Sequence, residues 1–213
     1  MTAEKNRSTY NLDVAYVLAR ERLATVDIEQ QCRHSSAHYQ AQDSGAVVTI
    51  QYLNQPYRVT FPDIEVSPVD NTDRLPLREQ ILILHYLALA KGTPATNKLV
   101  TFRDLPGGVV YYPTFSKRTI DPLTRHFGKE PALLVRATER LEARKVDLGD
   151  TAVVIDAFSH VPITMVLWQG DEEFAPQLNL LFDANITDYL ETEDVTVLCE
   201  IITWKLVRYS REV

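Results

Sequence analysis

The order of helical and strand patterns along the 213 residues constrains the fold more than any single motif. Apolar residues at helical spacing predict helices over 9–25, from Asp27, and over 75–90, 119–127, 130–144 and from Thr192 to the C-terminal region. β-Forming residues predict a hairpin over 46–61 and a strand pair over 151–158 and 161–168. Regular strand–helix alternation, which a doubly wound parallel sheet needs, does not occur. We therefore expect an α+β fold with a mixed or antiparallel sheet built from hairpins, flanking helices and a long C-terminal helix.

Prolines and glycines mark the boundaries between these elements. Pro56 is expected to restrict the second strand of the hairpin to an edge position at its start, and Gly92 is expected to stop the preceding helix in a left-handed conformation. Pro106, Pro113 and two glycines make 93–118 a predicted long loop. A loop of this length inside a compact domain is usually functional.

The length of the chain fits one large domain or two small ones. We expect a single domain over 1–213. The polar run 67–74 is the nearest thing to a linker, and it offers the alternative of an N-terminal subdomain over 1–66 and a main part over 67–213.

Charge and composition exclude several classes of partner. The chain has 22 Lys and Arg against 29 Asp and Glu, a net charge of −7, which repels nucleic acid and anionic membranes. No signal peptide or membrane-spanning run is present, so we expect a cytoplasmic protein. Two cysteines, Cys32 and Cys199, are too few for a disulfide framework or a cysteine-ligated cluster. Cys199 lies on the apolar stripe of the last helix and is expected to be inert.

The segment 166–174 runs from an apolar strand into a glycine turn with three consecutive carboxylates, Asp171, Glu172 and Glu173. Carboxylate oxygens bind hard cations such as Mg²⁺ and Ca²⁺, or the polar groups of a ligand. Trp168 beside the turn can stack on a planar ligand. The alternative is a solvated acidic turn, because charged runs are most often solvated.

Histidines give two further candidate sites. His85 lies on the apolar stripe of the helix over 75–90, where a core histidine is the default and a metal or proton-transfer role is the alternative. His34 and His38 are four residues apart, with Cys32 nearby, which suits a transition metal if the segment is helical. The helix is expected to end before His38, so this metal site is the weaker interpretation.

The predicted loop also holds groups that could contact a ligand: Arg103, Asp104, Tyr111, Tyr112, Arg118 and Asp121. Gly107 and Gly108 let backbone amides approach a ligand closely, and an arginine pairs well with carboxylate or phosphate. The alternative is a type II turn at Pro106 and Gly107 followed by an edge strand.

Three motifs, 75–87, 102–108 with 111–113, and 167–174 with 181–183, make the chain resemble a family of anaerobic bacteria and archaea that is described only as a domain of unknown function. Some relatives join this domain to a small iron–sulfur domain of the corrinoid iron–sulfur protein type. The resemblance implies anaerobic redox or one-carbon chemistry. This chain lacks the cluster cysteines, so electron transfer would require an iron–sulfur or corrinoid protein partner.

Three functions follow from these observations. The first is an accessory protein that binds a small-molecule ligand or a corrinoid or other tetrapyrrole cofactor in a cleft between Tyr111–Tyr112 and the turn at 168–173. In that case Arg103 or Arg118 meets the polar edge of the cofactor and His85 is the axial donor.

The second function is an acid–base enzyme acting on a small polar substrate, with Asp171 or Glu172 as the base and His85 or an arginine as its electrostatic partner. The third is a protein-interaction domain without catalysis. No nucleophile motif is present, so covalent catalysis ranks below all three.

Overall fold

The computed structural model describes residues 2–70 and 74–212, so residues 71–73 of the predicted linker lie outside the described residues. The chain divides into two compact units, Met1–Thr93 with Asp188–Leu190, and Pro94–Thr187 with Glu191–Val213. The organisation of 1–213 as one domain, with a subdomain boundary after residue 66 as its alternative, stays a prediction.

The first unit contains three helices and one antiparallel sheet of four strands in the order β1-β2-β3-β4. Its elements are α1 (Thr2–Ala24), α2 (Ile28–Ser35), β1 (His38–Gln42), β2 (Gly45–Tyr52), β3 (Gln55–Phe61), β4 (Glu65–Pro68) and α3 (Leu77–Leu89). The predicted hairpin is confirmed as β2 and β3. The expected edge position applies to the start of β3 alone: β3 lies between β2 and β4, and its register with β4 begins at Tyr57, one residue after Pro56. Pro56 is tolerated at the start of the strand, where its carbonyl accepts a hydrogen bond from the Val69 amide.

Helix α3 confirms the predicted helix over 75–90, but it is buried on almost every side. Ile83, Leu84 and Tyr86 are fully buried, and the Tyr86 hydroxyl donates to the carbonyl of Ser35 at 3.0 Å. Such a helix is a central core element of its unit. Gly92 does adopt a left-handed conformation (φ 72°), but the helix has already ended at Leu89.

The second unit contains four helices and an antiparallel sheet of five strands in the order β5-β9-β8-β7-β6. Its elements are β5 (Leu99–Thr101), α4 (Gly108–Arg118), α5 (Ile120–Phe127), α6 (Pro131–Glu139), β6 (Arg144–Val146), β7 (Thr151–Phe158), β8 (Val161–Trp168), β9 (Gln177–Asp183) and α7 (Thr192–Tyr209). The predicted strand pair is confirmed as β7 and β8, and the α+β class with antiparallel sheets and a long C-terminal helix is confirmed. No helix among the described residues has both the length and the apolar character needed to cross a membrane.

Three predictions in the second unit are wrong. The span 93–118 is not a long loop, because it contains β5, a 3₁₀ turn at Phe102–Asp104 and α4, and no strand follows Gly107. Pro113 lies inside α4, although proline removes one backbone hydrogen bond from a helix interior, and Phe115, two residues later, is buried. The helix predicted over 130–144 ends at Glu139, and β6 follows. Thr192 is the first helical residue of α7 and its hydroxyl donates to the carbonyl of Pro106.

A buried carboxylate at the end of β9 fixes the segment that leads into β5. Asp183 is 6% exposed and accepts hydrogen bonds from the amides of Thr96, Asn97 and Asn185 and from the Thr96 hydroxyl, at 2.7–3.1 Å. Burial alone raises the pKa of this carboxyl, but these hydrogen bonds outweigh burial and lower it. The carboxylate therefore stays ionised and holds 96–98 against the end of β9.

We expect Asp183→Ala to lower the free energy of unfolding by about 3 kcal/mol, because several partly buried donors lose a charged acceptor. Urea unfolding measures this change. Asp156→Ala is the matched control, since Asp156 lies in the same sheet but is exposed and only 3.7 Å from Arg144 in a surface ion pair. Its effect should stay below about 0.5 kcal/mol, and equal effects of the two variants would contradict the anchoring role of Asp183.

Candidate functional site

The 3₁₀ turn at Phe102–Asp104 precedes α4 and directs two neighbouring side chains to opposite sides, one into the core and one to the surface. Asp104 accepts hydrogen bonds from the Thr101 hydroxyl at 2.7 Å and the Thr101 amide at 2.8 Å, and these bonds lower the pKa of its carboxyl. The turn places Phe102 in the core at 1% exposure and leaves Arg103 exposed. The local sequence thus sets the direction of both side chains.

Helix α4 is held against this turn by an aromatic stack and by a close backbone approach. The rings of Phe102 and Phe115 are parallel within 6° and 3.9 Å apart, and Phe182 of β9 meets Phe115 edge-on at 6.5 Å. A Cβ atom on Gly108 would lie 1.9 Å from the carbonyl oxygen of Phe102, so only glycine fits there. The first turn of α4 therefore has a fixed position in its unit.

That first turn exposes three consecutive apolar side chains. Val109 is 70% exposed, Val110 79% and Tyr111 63%. The next residue, Tyr112, carries the guanidinium of Arg103 over its ring, 3.8 Å from the centroid. We call Arg103, Val109, Val110, Tyr111 and Tyr112 the α4 platform. Its three exposed apolar side chains follow one another around the first turn of α4, and the Arg103 cation lies over the ring of the next residue, Tyr112.

Electrostatics at the α4 platform favour an anionic or polar edge on whatever it contacts. The amino end of a helix carries partial positive charge, and the first turn of α4 contains no acidic residue to neutralise it. The Arg103 guanidinium adds a full positive charge, which the ionised carboxylate of adjacent Asp104 partly offsets, and its planar geometry allows paired hydrogen bonds to a carboxylate.

The predicted site residues of α4 divide between its two ends. Arg103, from the 3₁₀ turn, contacts Tyr112, and Tyr111 precedes Tyr112 in the first part of α4. Arg118 lies at the opposite end of the helix, where it pairs with Glu200 at 3.8 Å. Val109 and Val110 were missed, because exposed valines are notable only once their segment is known to be a surface helix.

The acidic turn after β8 is organised by one of its own carboxylates. Asp171 accepts hydrogen bonds from the amides of Phe174 at 2.7 Å and Glu173 at 2.8 Å, and these two bonds lower the pKa of its carboxyl. A general base at neutral pH needs a pKa near 7, so this environment does not suit Asp171 to that role. Trp168, the last residue of β8, is 39% exposed beside the turn.

A cavity of about 310 Å³ lies at this turn, lined by Lys129 and residues 170–176. Backbone approaches Pro176 closely here: a Cβ atom on Gly170 would lie 2.5 Å from Pro176, and one on Gly128 would lie 2.7 Å from it. Its walls come from this turn and from Lys129, and not from α4, so it is not the predicted cleft between Tyr111–Tyr112 and the turn.

The three carboxylates of the turn are not gathered around one point. Across residues 2–70 and 74–212, no group of three or more His, Cys, Asp or Glu side chains is placed to hold a metal ion. This finding covers both the turn at 171–173 and the grouping of Cys32, His34 and His38.

His34 lies within hydrogen-bond distance of neighbouring groups, and both cysteines are buried. His34 Nδ1 lies 3.1 Å from the Gln31 side-chain oxygen and 3.2 Å from the carbonyl of Ala90. Burial, followed by the charge of Glu29, raises the pKa of Cys32 to about 11, and burial raises the pKa of Cys199. Both thiols therefore stay protonated at neutral pH. His85 is half-buried on α3 in the first unit, as are the residues of the grouping at 32–38, whereas the residues predicted to contact a cofactor with it belong to the second unit.

We expect Asp171→Ala to accelerate hydrogen exchange at the amides of Glu173 and Phe174, because both lose their acceptor. Glu172→Ala is the matched control and should leave these two amides unchanged. Exchange measured residue by residue checks both variants. Because the folded pKa of Asp171 is lowered, its contribution is present at neutral pH and is lost as the pH falls through that lowered value. Unchanged exchange in Asp171→Ala would contradict the anchoring role.

Comparison with known proteins gives a family but no characterised relative. A family model described as "Domain of unknown function (DUF3786)" matches residues 27–204. Searches of curated proteins and of solved structures returned no match. The matched range includes α3, the whole α4 platform and the turn after β8. The chain therefore belongs to the DUF3786 family.

Proposed function

We propose that this chain is a ligand-binding accessory protein, and that its α4 platform binds a planar cofactor with an anionic or amide edge, of the corrinoid or other tetrapyrrole class. One observation carries the proposal: three consecutive apolar side chains, Val109, Val110 and Tyr111, are 63–79% exposed beside the Arg103–Tyr112 stack. Isolated exposed apolar residues are ordinary, but a contiguous run usually marks a contact surface.

The chemistry of the platform matches a flat cofactor in two respects. Covering apolar side chains removes their surface from water, which stabilises a complex by about 25 cal/mol per Å². Arg103 and the amino end of α4 both favour carboxylate or amide oxygens at the cofactor edge. Because Arg103 already lies on Tyr112, its side chain loses little conformational freedom on binding.

The metabolic setting is also a proposal, supported by the sequence motifs described above. We place the protein in the cytoplasm, in anaerobic redox or one-carbon metabolism, beside an iron–sulfur or corrinoid protein that supplies or receives electrons. Two cysteines with raised pKa values are unsuited to holding a cluster in this chain, which is why a partner is required. His85 stays a predicted axial donor.

The acid–base enzyme has less support than the binding protein. Asp171 is committed to backbone amides and its pKa is lowered, which leaves exposed Glu172 without an identified partner group for catalysis. The cavity of about 310 Å³ beside it is at the small end of ligand pockets and cannot enclose a tetrapyrrole.

We expect anaerobic titration with cobalamin or haem to shift a visible absorption band of the cofactor at protein concentrations up to about 100 μM. Tyr111→Ala should raise the dissociation constant about tenfold or more, because a buried aromatic contributes at least about 1.5 kcal/mol. Arg103→Gln should weaken binding most for cofactors with carboxylate edges. Trp204→Ala is the control, since Trp204 is an exposed aromatic (54%) on α7 outside the platform.

Two results would overturn the proposal. The first is the absence of any shift with either cofactor at about 100 μM, a limit that corresponds to roughly −5.5 kcal/mol of binding. The second is equal weakening by Tyr111→Ala and Trp204→Ala, which would indicate non-specific contact with exposed aromatics.

A further inference from the structure

The edge strand β1 differs from the other sheet edges of the described residues. Edge strands expose unpaired backbone groups, and proteins normally protect them with charge, proline or short length. Strand β4 contains Pro68, β6 contains Arg144 and Lys145, and β5 is only three residues long. Strand β1 has the sequence His-Tyr-Gln-Ala-Gln over five residues, with neither proline nor a Lys, Arg, Asp or Glu. It is the edge without protection.

The exposed side of β1 can be read from its hairpin with β2. Asp43 and Ser44 form a two-residue turn, and Gln42 pairs with Gly45 across it. In such a hairpin the closing pair is hydrogen-bonded, and every second residue along the strand then bonds to the same neighbour. Tyr39 and Ala41 therefore direct their backbone N–H and C=O groups away from β2, toward the free edge. All side chains of β1 are exposed except half-buried Tyr39.

We infer that β1 is the contact strand of a symmetric dimer, in which it pairs antiparallel with β1 of a second copy and joins two four-stranded sheets into one. Two-fold symmetry requires one residue to lie opposite itself, and of the registers that match outward-directed groups, only the one centred on Gln40 pairs Tyr39 and Ala41 of both copies. Tyr39 then exchanges backbone hydrogen bonds with Ala41 of the second copy, and Ala41 with Tyr39 of the second copy.

The side chains of β1 are complementary to themselves in this register. The large ring of Tyr39 lies opposite the small side chain of Ala41, on both sides of the axis. The two Gln40 amides can donate to and accept from each other, and His38 lies opposite Gln42. Each copy carries a net charge of −7, so a contact between copies needs a region free of acidic residues. Strand β1 itself contains none, the next along the chain being Asp43 in the turn, and a second copy is already folded, so no ordering of a flexible segment is needed.

Sedimentation and light scattering over a dilution series test the dimer with the full chain. The wild type should be dimeric at about 100 μM and dissociate on dilution. Gln40→Lys places two like charges opposite each other at the axis, and it should raise the dissociation constant at least about tenfold. Gln51→Lys is the matched control: it makes the same change at an exposed residue of neighbouring β2, beyond the five residues that pair with β1. This control should remain dimeric.

Hydrogen exchange of the wild type gives a second readout that needs no variant. The Tyr39 and Ala41 amides should become protected as concentration rises, whereas the protection of Gln40, which bonds to β2, should not depend on concentration. A monomeric wild type at about 100 μM overturns the inference and leaves the edge to an extended segment of another protein. A dimer that survives Gln40→Lys, or whose Tyr39 amide is unprotected, also overturns it.

Discussion

The carboxylate of Asp183 is the interaction on which the α4 platform depends. By holding the amides of Thr96 and Asn97 at the end of β9, it fixes the point at which the chain enters β5. The register of β5 against β9 then determines where the 3₁₀ turn at Phe102–Asp104 lies, and so where Phe102 enters the core. The position of α4 and of its exposed side chains depends in turn on this 3₁₀ turn.

Three aspartates of the second unit act as acceptors for backbone amides. Asp104, Asp171 and Asp183 each accept at least one backbone N–H group, and the pKa of each is lowered. A lowered pKa means that the carboxylate stabilises the fold at neutral pH, and that this stabilisation is lost as the pH falls through the folded value. The three turns around the second sheet therefore share one requirement, an ionised carboxylate.

The sequence predicts the elements that have a strong apolar pattern. It does not predict the strands that are recognisable only by their pairing with a neighbouring strand. Strands β7 and β8 are almost wholly apolar, and α3 and α7 carry long apolar stripes, so periodicity located them. Strands β5 and β6 have three residues each, and β1 is polar, so only their pairing makes them strands. Helix α4 was missed because Pro113 and two glycines favour a loop in local terms, whereas the buried ring of Phe115 outweighs them.

The residues of the candidate site could be predicted from the sequence in part. Arg103, Tyr111 and Tyr112 could be selected by residue type, since arginine and tyrosine commonly contact ligands. Their proximity could not, because it depends on the stack between Phe102 and Phe115 and on the space left by Gly108. The role of Asp171 required its two amide partners to be seen.

The first unit is discontinuous in sequence, and this has a consequence for biosynthesis. Tyr189 and Leu190 are fully buried, and Tyr189 stacks with Tyr86 of α3 at a centroid distance of 5.9 Å and donates to the carbonyl of Thr93. Residues 94–187 are translated between the two parts of this unit. At roughly 5–20 residues per second, the ribosome needs on the order of ten seconds to deliver the missing ring. During that interval the nascent chain carries an incomplete core, and chaperones that bind apolar surface have time to act on it.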